Sequence, residues 1–149
     1  MAGGTMTGMR QAAINGDVAE TRRLVAMGVN VDAQDGDGNS ALHLAAGFGH
    51  VEVLRALAQS GADKEAENAA GLTSLHHAAF EGRVEAFKTL EQLGAHIDAQ
   101  SANGETPLKL CIRHGHHQAT QLLREWNAPH AQGRRRLSRR SAQRRAAGV

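Results

Sequence analysis

Gly38, Gly71 and Gly104 stand 33 residues apart, and the same step links Ser40, Thr73 and Thr106, then Leu42, Leu75 and Leu108, then Gly49, Gly82 and Gly115. A fixed period of this length constrains the chain more than any other feature. Each period must fold as one small unit that buries its apolar face against the next. Residues 35–67 and 68–100 share 13 identical residues over 33 positions without a gap. One step further back, Ala13, Gly16, Leu24 and Gly28 fall under Ala46, Gly49, Leu57 and Gly61. The period divides the chain into a shortened unit over 6–34, full units over 35–67, 68–100 and 101–133, and a remainder over 134–149.

The chemistry inside one period predicts its shape. In DGDGNSALHLAAGFGH, the first residues form a turn in which Gly38 suits a positive φ. Ser40, Thr73 and Thr106 then occupy helix N-cap positions. Pro107 follows Thr106 at N1, where a missing N–H costs nothing. A short helix runs to Gly49. A second, carrying Val51, Val53, Leu54 and Leu57 on one face, stops at Gly61. Neither helix alone buries enough surface to be stable, so the units must stack.

The stretches SALHLAA, TSLHHAA and TPLKLCI, at residues 40–46, 73–79 and 106–112, resemble the signature of the ankyrin-repeat family, and GVNVD, GADKE and GAHID resemble its later segment. The match spans roughly residues 6–130. The resemblance implies an all-α ankyrin-repeat solenoid of about four helix-turn-helix units, with a row of β-turn fingers and a concave face for a protein partner. The first unit, an N-terminal cap, lacks the finger and has Glu20 and Thr21 where later units are apolar. The last has His117, Ala119 and Thr120 in place of Val51, Val53 and Leu54. Both ends are therefore expected to be polar caps. Lys64 replaces Val31 and Ile97, and either packs its stem at the edge or weakens that junction.

Nine histidines invite a reading as chemistry. With Ser40 and Thr73 as N-caps, His43 and His76 fall at N3, the slot from which a capping-box side chain reaches back, and a neutral imidazole can bridge the cap and a neighbouring turn. Lys109 holds this slot in the last unit and can only donate. His76 and His77 point about 100° apart on a helix, which is poor metal geometry. Gly115 interrupts His114, His116 and His117, which read as loop and helix-start residues. There is no G-x-S-x-G, P-loop or H-E-x-x-H motif. Cys111, the only cysteine, aligns with Ala45 and Ala78 and reads as a small core residue. The chain is read as a non-enzyme without cofactor or metal.

Residues without a folding duty mark the candidate protein-binding surface: Asp37, Asn39, Phe48, Leu72, His77, Phe80, Glu81, Asn103, Glu105, Arg113 and His114. The resemblance implies that His77 faces the concave side. Two placements fit Phe80, an exposed anchor or a wedge between adjacent helices. The expected role is a monomeric adaptor or stoichiometric regulator of another protein.

Charge is divided unevenly. Residues 1–133 carry 15 acidic and 10 basic side chains, whereas 134–149 carry seven arginines, Arg134 to Arg145, and no acid. That remainder is expected to be a disordered basic tail. It offers an import signal, a nucleic-acid contact or a tether to the acidic body, and Ser138 resembles a basophilic kinase site. The alternative function is a nuclear nucleic-acid-associated factor whose repeats recruit another protein. With one cysteine, no apolar h-region in MAGGTMTGMR and no long apolar run, the expected location is intracellular, cytoplasmic or nuclear, away from membranes.

Overall fold

The computed structural model describes residues 2–127, with side chains over 8–126. The Arg134–Arg145 segment, Ser138 and the last residues of the 101–133 unit lie outside the described residues. Within them the chain forms eight helices and no strand: α1 (Ala2–Asn15), α2 (Val18–Ala26), α3 (Ala41–Phe48), α4 (Val51–Gln59), α5 (Ser74–Glu81), α6 (Val84–Gln92), α7 (Pro107–Arg113) and α8 (His117–Asn127). None of the described helices is long and apolar enough to cross a membrane.

Each odd-numbered helix pairs with the even-numbered one after it, and the pairs stack. The odd helices form one layer in which α1 packs on α3, α3 on α5 and α5 on α7. The even helices form a second, with α2 on α4, α4 on α6 and α6 on α8. The resulting all-α solenoid is the architecture that the period implies. Its first helix begins at Ala2, ahead of residue 6, where the internal similarity starts.

Two kinds of 33-residue column build the core. Leu24, Leu57, Leu90 and Leu123 run through the even layer, each at most 2% exposed. Burying a leucine fully contributes about 1.5–3 kcal/mol, so this column is a main source of cohesion between units. Ala45, Ala78 and Cys111 form a column in the odd layer, all fully buried. Their small side chains let successive helices approach closely. The Cys111 thiol donates to the Ala79 carbonyl at 3.7 Å, and burial pushes its pKa up to about 11.

The helices stop where the backbone turns left-handed. Gly49 and Gly82 cap α3 and α5 with φ of 76° and 69°. One expectation about the ends needs correction. Thr21 is not a surface polar group of the N-terminal cap: it is fully buried, and its hydroxyl is satisfied by the Asp17 carbonyl at 2.8 Å. A buried threonine needs no outside partner when its own helix supplies one. Ala119 is likewise buried, while His117 is exposed. Lys64 is half-buried.

Candidate functional site

Three turns, each built on the same residue slot, form one edge of the solenoid. Asp35, Asn68 and Ser101 each accept backbone N–H groups two and four residues ahead, through Oδ1 in the first two and Oγ in the third. Each also donates its own N–H across the turn, to Asn39, Leu72 and Glu105 respectively. A short side-chain acceptor closes such a turn locally. Neighbouring turns are then joined, because Ala69 N–H donates to the Asp37 carbonyl at 3.0 Å and Ala102 N–H to the Ala70 carbonyl at 3.1 Å. Asn68 Nδ2 donates to Asn39 Oδ1. Gly71, at φ 77°, makes this stacking possible, since a Cβ there would lie 2.5 Å from the Ala102 nitrogen.

His43 and His76 tie these turns to the helices. In each, Nδ1 accepts the N–H of the N-cap residue, Ser40 or Thr73, at 3.1 Å. Nε2 must then carry the proton, and it donates across units at 2.8 Å, His43 to the Leu72 carbonyl and His76 to the Glu105 carbonyl. Burial lowers both pKa values, which keeps the rings neutral and able to play both roles. Thr106 caps α7 by accepting Lys109 N–H, and Lys109 Nζ donates to the Gly104 carbonyl at 3.4 Å.

A second inter-unit tie was not visible from the period alone. His50, Arg83 and His116 share a slot after the first helix of each unit. Each donates back to the preceding unit: His50 Nε2 to the Ile14 carbonyl, Arg83 Nε to the Gly47 carbonyl and His116 Nε2 to the Phe80 carbonyl. The alignment of His116 with His50 was the available signal. Because the partners are backbone carbonyls of another unit, no side-chain pattern reveals them.

At the C-terminal ends of the odd-numbered helices the candidate binding residues separate. Phe48 and Phe80 are 49% and 47% exposed, so Phe80 is not a buried wedge. Phe80 lies against the exposed His114 ring, with centroids 4.2 Å apart, and Phe48 stacks on His50. Between α3 and α5 runs a groove of about 150 Å³, lined by His43, Leu44, Gly47, Phe48, His77, Glu81 and Arg83. Glu81 is exposed, as are Asp37 and Asn103 at the turn tips. A larger, shallow hollow of about 630 Å³ lies on the far side of Phe48, where Arg83, Lys88 and Glu85 face Gln118 and Glu125.

Several of the residues expected to be free have folding duties. Leu72 packs its side chain against the core and gives its carbonyl to His43. His77 is half-buried, wedged beside His43, and its Nε2 accepts from Asn68 Nδ2 at 3.2 Å. Asn39 and Glu105 hold neighbouring turns together, and Arg113 grips both carboxylate oxygens of Glu105. These residues look unconstrained within one unit because their partners belong to the next element or the next unit. Ile112, 49% exposed, was missed. Its counterparts Ala46 and Ala79 are covered by the following unit.

His114, His116 and His117 do not converge, and no group of three or more His, Cys, Asp or Glu among the described residues is placed to hold a metal ion. The geometry is that of a stacked interaction scaffold. No curated protein matches the chain. The family model described as ankyrin repeats (3 copies) matches residues 9–101 and again 67–134. Ankyrin repeats are protein–protein interaction modules, and with its period, its stacked turns and its capping histidines accounted for, this chain belongs to the ankyrin-repeat family.

Proposed function

We propose that the chain is a non-catalytic adaptor or stoichiometric regulator that holds a protein partner on the α3–α5 groove and the adjoining turn tips. The observation carrying this reading is the exposure of Phe48 and Phe80 in a chain with only three phenylalanines, the third of which, Phe87, is fully buried. Aromatic side chains left in solvent, Phe48 lining the groove and Phe80 against His114, are anchors of the kind that interfaces use. Glu81 lines the same groove and supplies a polar group suited to a rim.

The test is affinity capture from the source cell with three baits side by side: the wild-type chain, F48A/F80A and L72A. The double variant is expected to lose capture with unchanged helicity and melting. L72A is expected to lose stability first, because Leu72 packs on the core. Undiminished capture by F48A/F80A contradicts the placement.

The seven arginines of residues 134–145 favour a second reading, a nuclear factor whose basic segment contacts nucleic acid while the repeats recruit another protein. Salt-dependent DNA or RNA binding that disappears on truncation after Gly133 supports it, and binding retained by residues 1–133 contradicts it.

A further inference from the structure

Two junctions of the odd layer differ at one slot. Leu44, His77 and Leu110 share a position in the period, Gly47, Phe80 and Arg113 a second, and Phe48, Glu81 and His114 a third. At the α5–α7 junction the Phe80 ring lies against His114, with centroids 4.2 Å apart. At the α3–α5 junction Gly47 stands where that ring would begin, and the groove of about 150 Å³ opens there. A space of this volume holds about one benzene-sized group. Neither backbone nor packing demands the glycine. It lies inside α3 without a left-handed φ, and a Cβ on it would meet only His77, at an ordinary 3.7 Å. Alanine would favour the helix.

Hydrogen bonding fixes the chemistry of the walls. Asn68 Oδ1 accepts the Ala70 and Leu72 N–H groups, so Asn68 Nδ2 is the donor to His77 Nε2. Burial lowers the His77 pKa and keeps the ring neutral, so its proton sits on Nδ1. His77 Nδ1 is the atom nearest to a Cβ built on Gly47, and no acceptor among the described residues meets its N–H. Glu81 stands one helical turn further on the same face of α5, exposed. No ion pair joins it to Arg83 or to any other described residue. Arg83 lines the same groove, its Nε donating to the Gly47 carbonyl at 3.0 Å.

A group that suits this groove has a flat apolar body, an acceptor for the His77 N–H and a donor for Glu81. Glu81 repels a carboxylate or a phosphate, so the acceptor must be neutral. A tyrosine side chain supplies the ring, the acceptor and the donor together, whereas tryptophan offers a donor alone and phenylalanine neither. The guanidinium of Arg83 is a favourable neighbour for the face of such a ring. We propose that the groove at Gly47 takes a tyrosine side chain of the protein partner, its ring against Leu44 and Phe48 and its hydroxyl between His77 Nδ1 and Glu81. This rests on the reading of the α3–α5 face as the binding surface and names the group that the face selects.

Titration of the isotope-labelled full-length chain with N-acetyl-tyrosinamide and, separately, N-acetyl-phenylalaninamide reads the pocket through amide shifts. The tyrosine probe is expected to shift Leu44, Gly47, His77 and Glu81 saturably. It is expected to bind about tenfold more tightly than the phenylalanine probe, the scale of two neutral hydrogen bonds. H77L and E81A are each expected to bring the tyrosine probe toward the affinity of the phenylalanine probe. G47A is expected to weaken both probes while raising the melting temperature. Absence of a saturable shift at these residues overturns the proposal. Equal binding of the two probes assigns the space to any apolar ring and overturns it too, as does tyrosine binding indifferent to H77L, E81A and G47A. The titration needs no partner, so the phenol preference can fail while capture by the α3–α5 face stands, and capture can fail while the preference stands.

Discussion

His43 and His77 meet edge to face where α3 packs on α5, their ring centroids 5.1 Å apart and their planes inclined at 74°. His77 Nε2 accepts from Asn68 Nδ2, so a proton there would set one N–H against another. Burial is the main cause that pushes the His77 pKa down from 6.5 to about 4, with His43 and His76 adding repulsion. The folded chain then binds fewer protons than the unfolded one between these values. Stability is full above about pH 6.5 and falls as the pH drops toward 4. Between about pH 7 and 5 this one group accounts for a loss of about 2 kcal/mol. H77L, which places there the residue of the Leu44 and Leu110 slots, is expected to lose less stability over that range in urea titrations. An equal loss in H77L and wild type rejects the assignment.

His76 is fully buried and bonded at both ring nitrogens, whereas His114 is exposed. H76A removes two buried hydrogen bonds and leaves a cavity, and is expected to destabilise by about 3 kcal/mol. H114A is expected to change stability by no more than about 0.5 kcal/mol. Equilibrium denaturation of both variants checks the contrast, and similar values for the two contradict it.

Gly71 and Gly104 share φ 77° but not their surroundings. A Cβ on Gly104 meets nothing within 4 Å, whereas one on Gly71 strikes the Ala102 backbone nitrogen. G104A carries only the left-handed penalty of about 1–2 kcal/mol. G71A must also move the turn whose Ala102 N–H bonds Ala70, and is expected to cost about 3 kcal/mol or more. Melting curves that rank the two equally would show that the turns are not stacked this way.

The Ser74 hydroxyl is buried without a hydrogen-bond partner, in the slot that Ala41 fills one unit earlier. S74A therefore removes an unsatisfied polar group and is expected to stabilise by about 1 kcal/mol. A lower denaturation midpoint in S74A contradicts this.

The features legible in the sequence are those whose cause lies inside one unit. Ser40 with His43, and Thr73 with His76, cap helices across three residues, and Gly49 and Gly82 end helices where they stand. What spacing could not show lies between units. The bond from His76 to the Glu105 carbonyl spans 29 residues, and the return of His116 to the Phe80 carbonyl spans 36. His77 and Leu72 looked free for the same reason: their partners come from the turns and from the core that stacking creates. Phe48 and Phe80 were identifiable because no slot in the period requires an aromatic there.

We propose that this solenoid meets its partner on the α3–α5 face, with Phe48 lining its groove and Phe80 exposed beside His114. Amide hydrogen exchange of the full-length chain, alone and with the captured partner, tests it most directly. Added protection is expected over residues 44–48 and 77–81 and at the tips of the first two turns, with α4 and α6 unchanged. Protection confined to the even-numbered helices, or absent from α3 and α5, would contradict it.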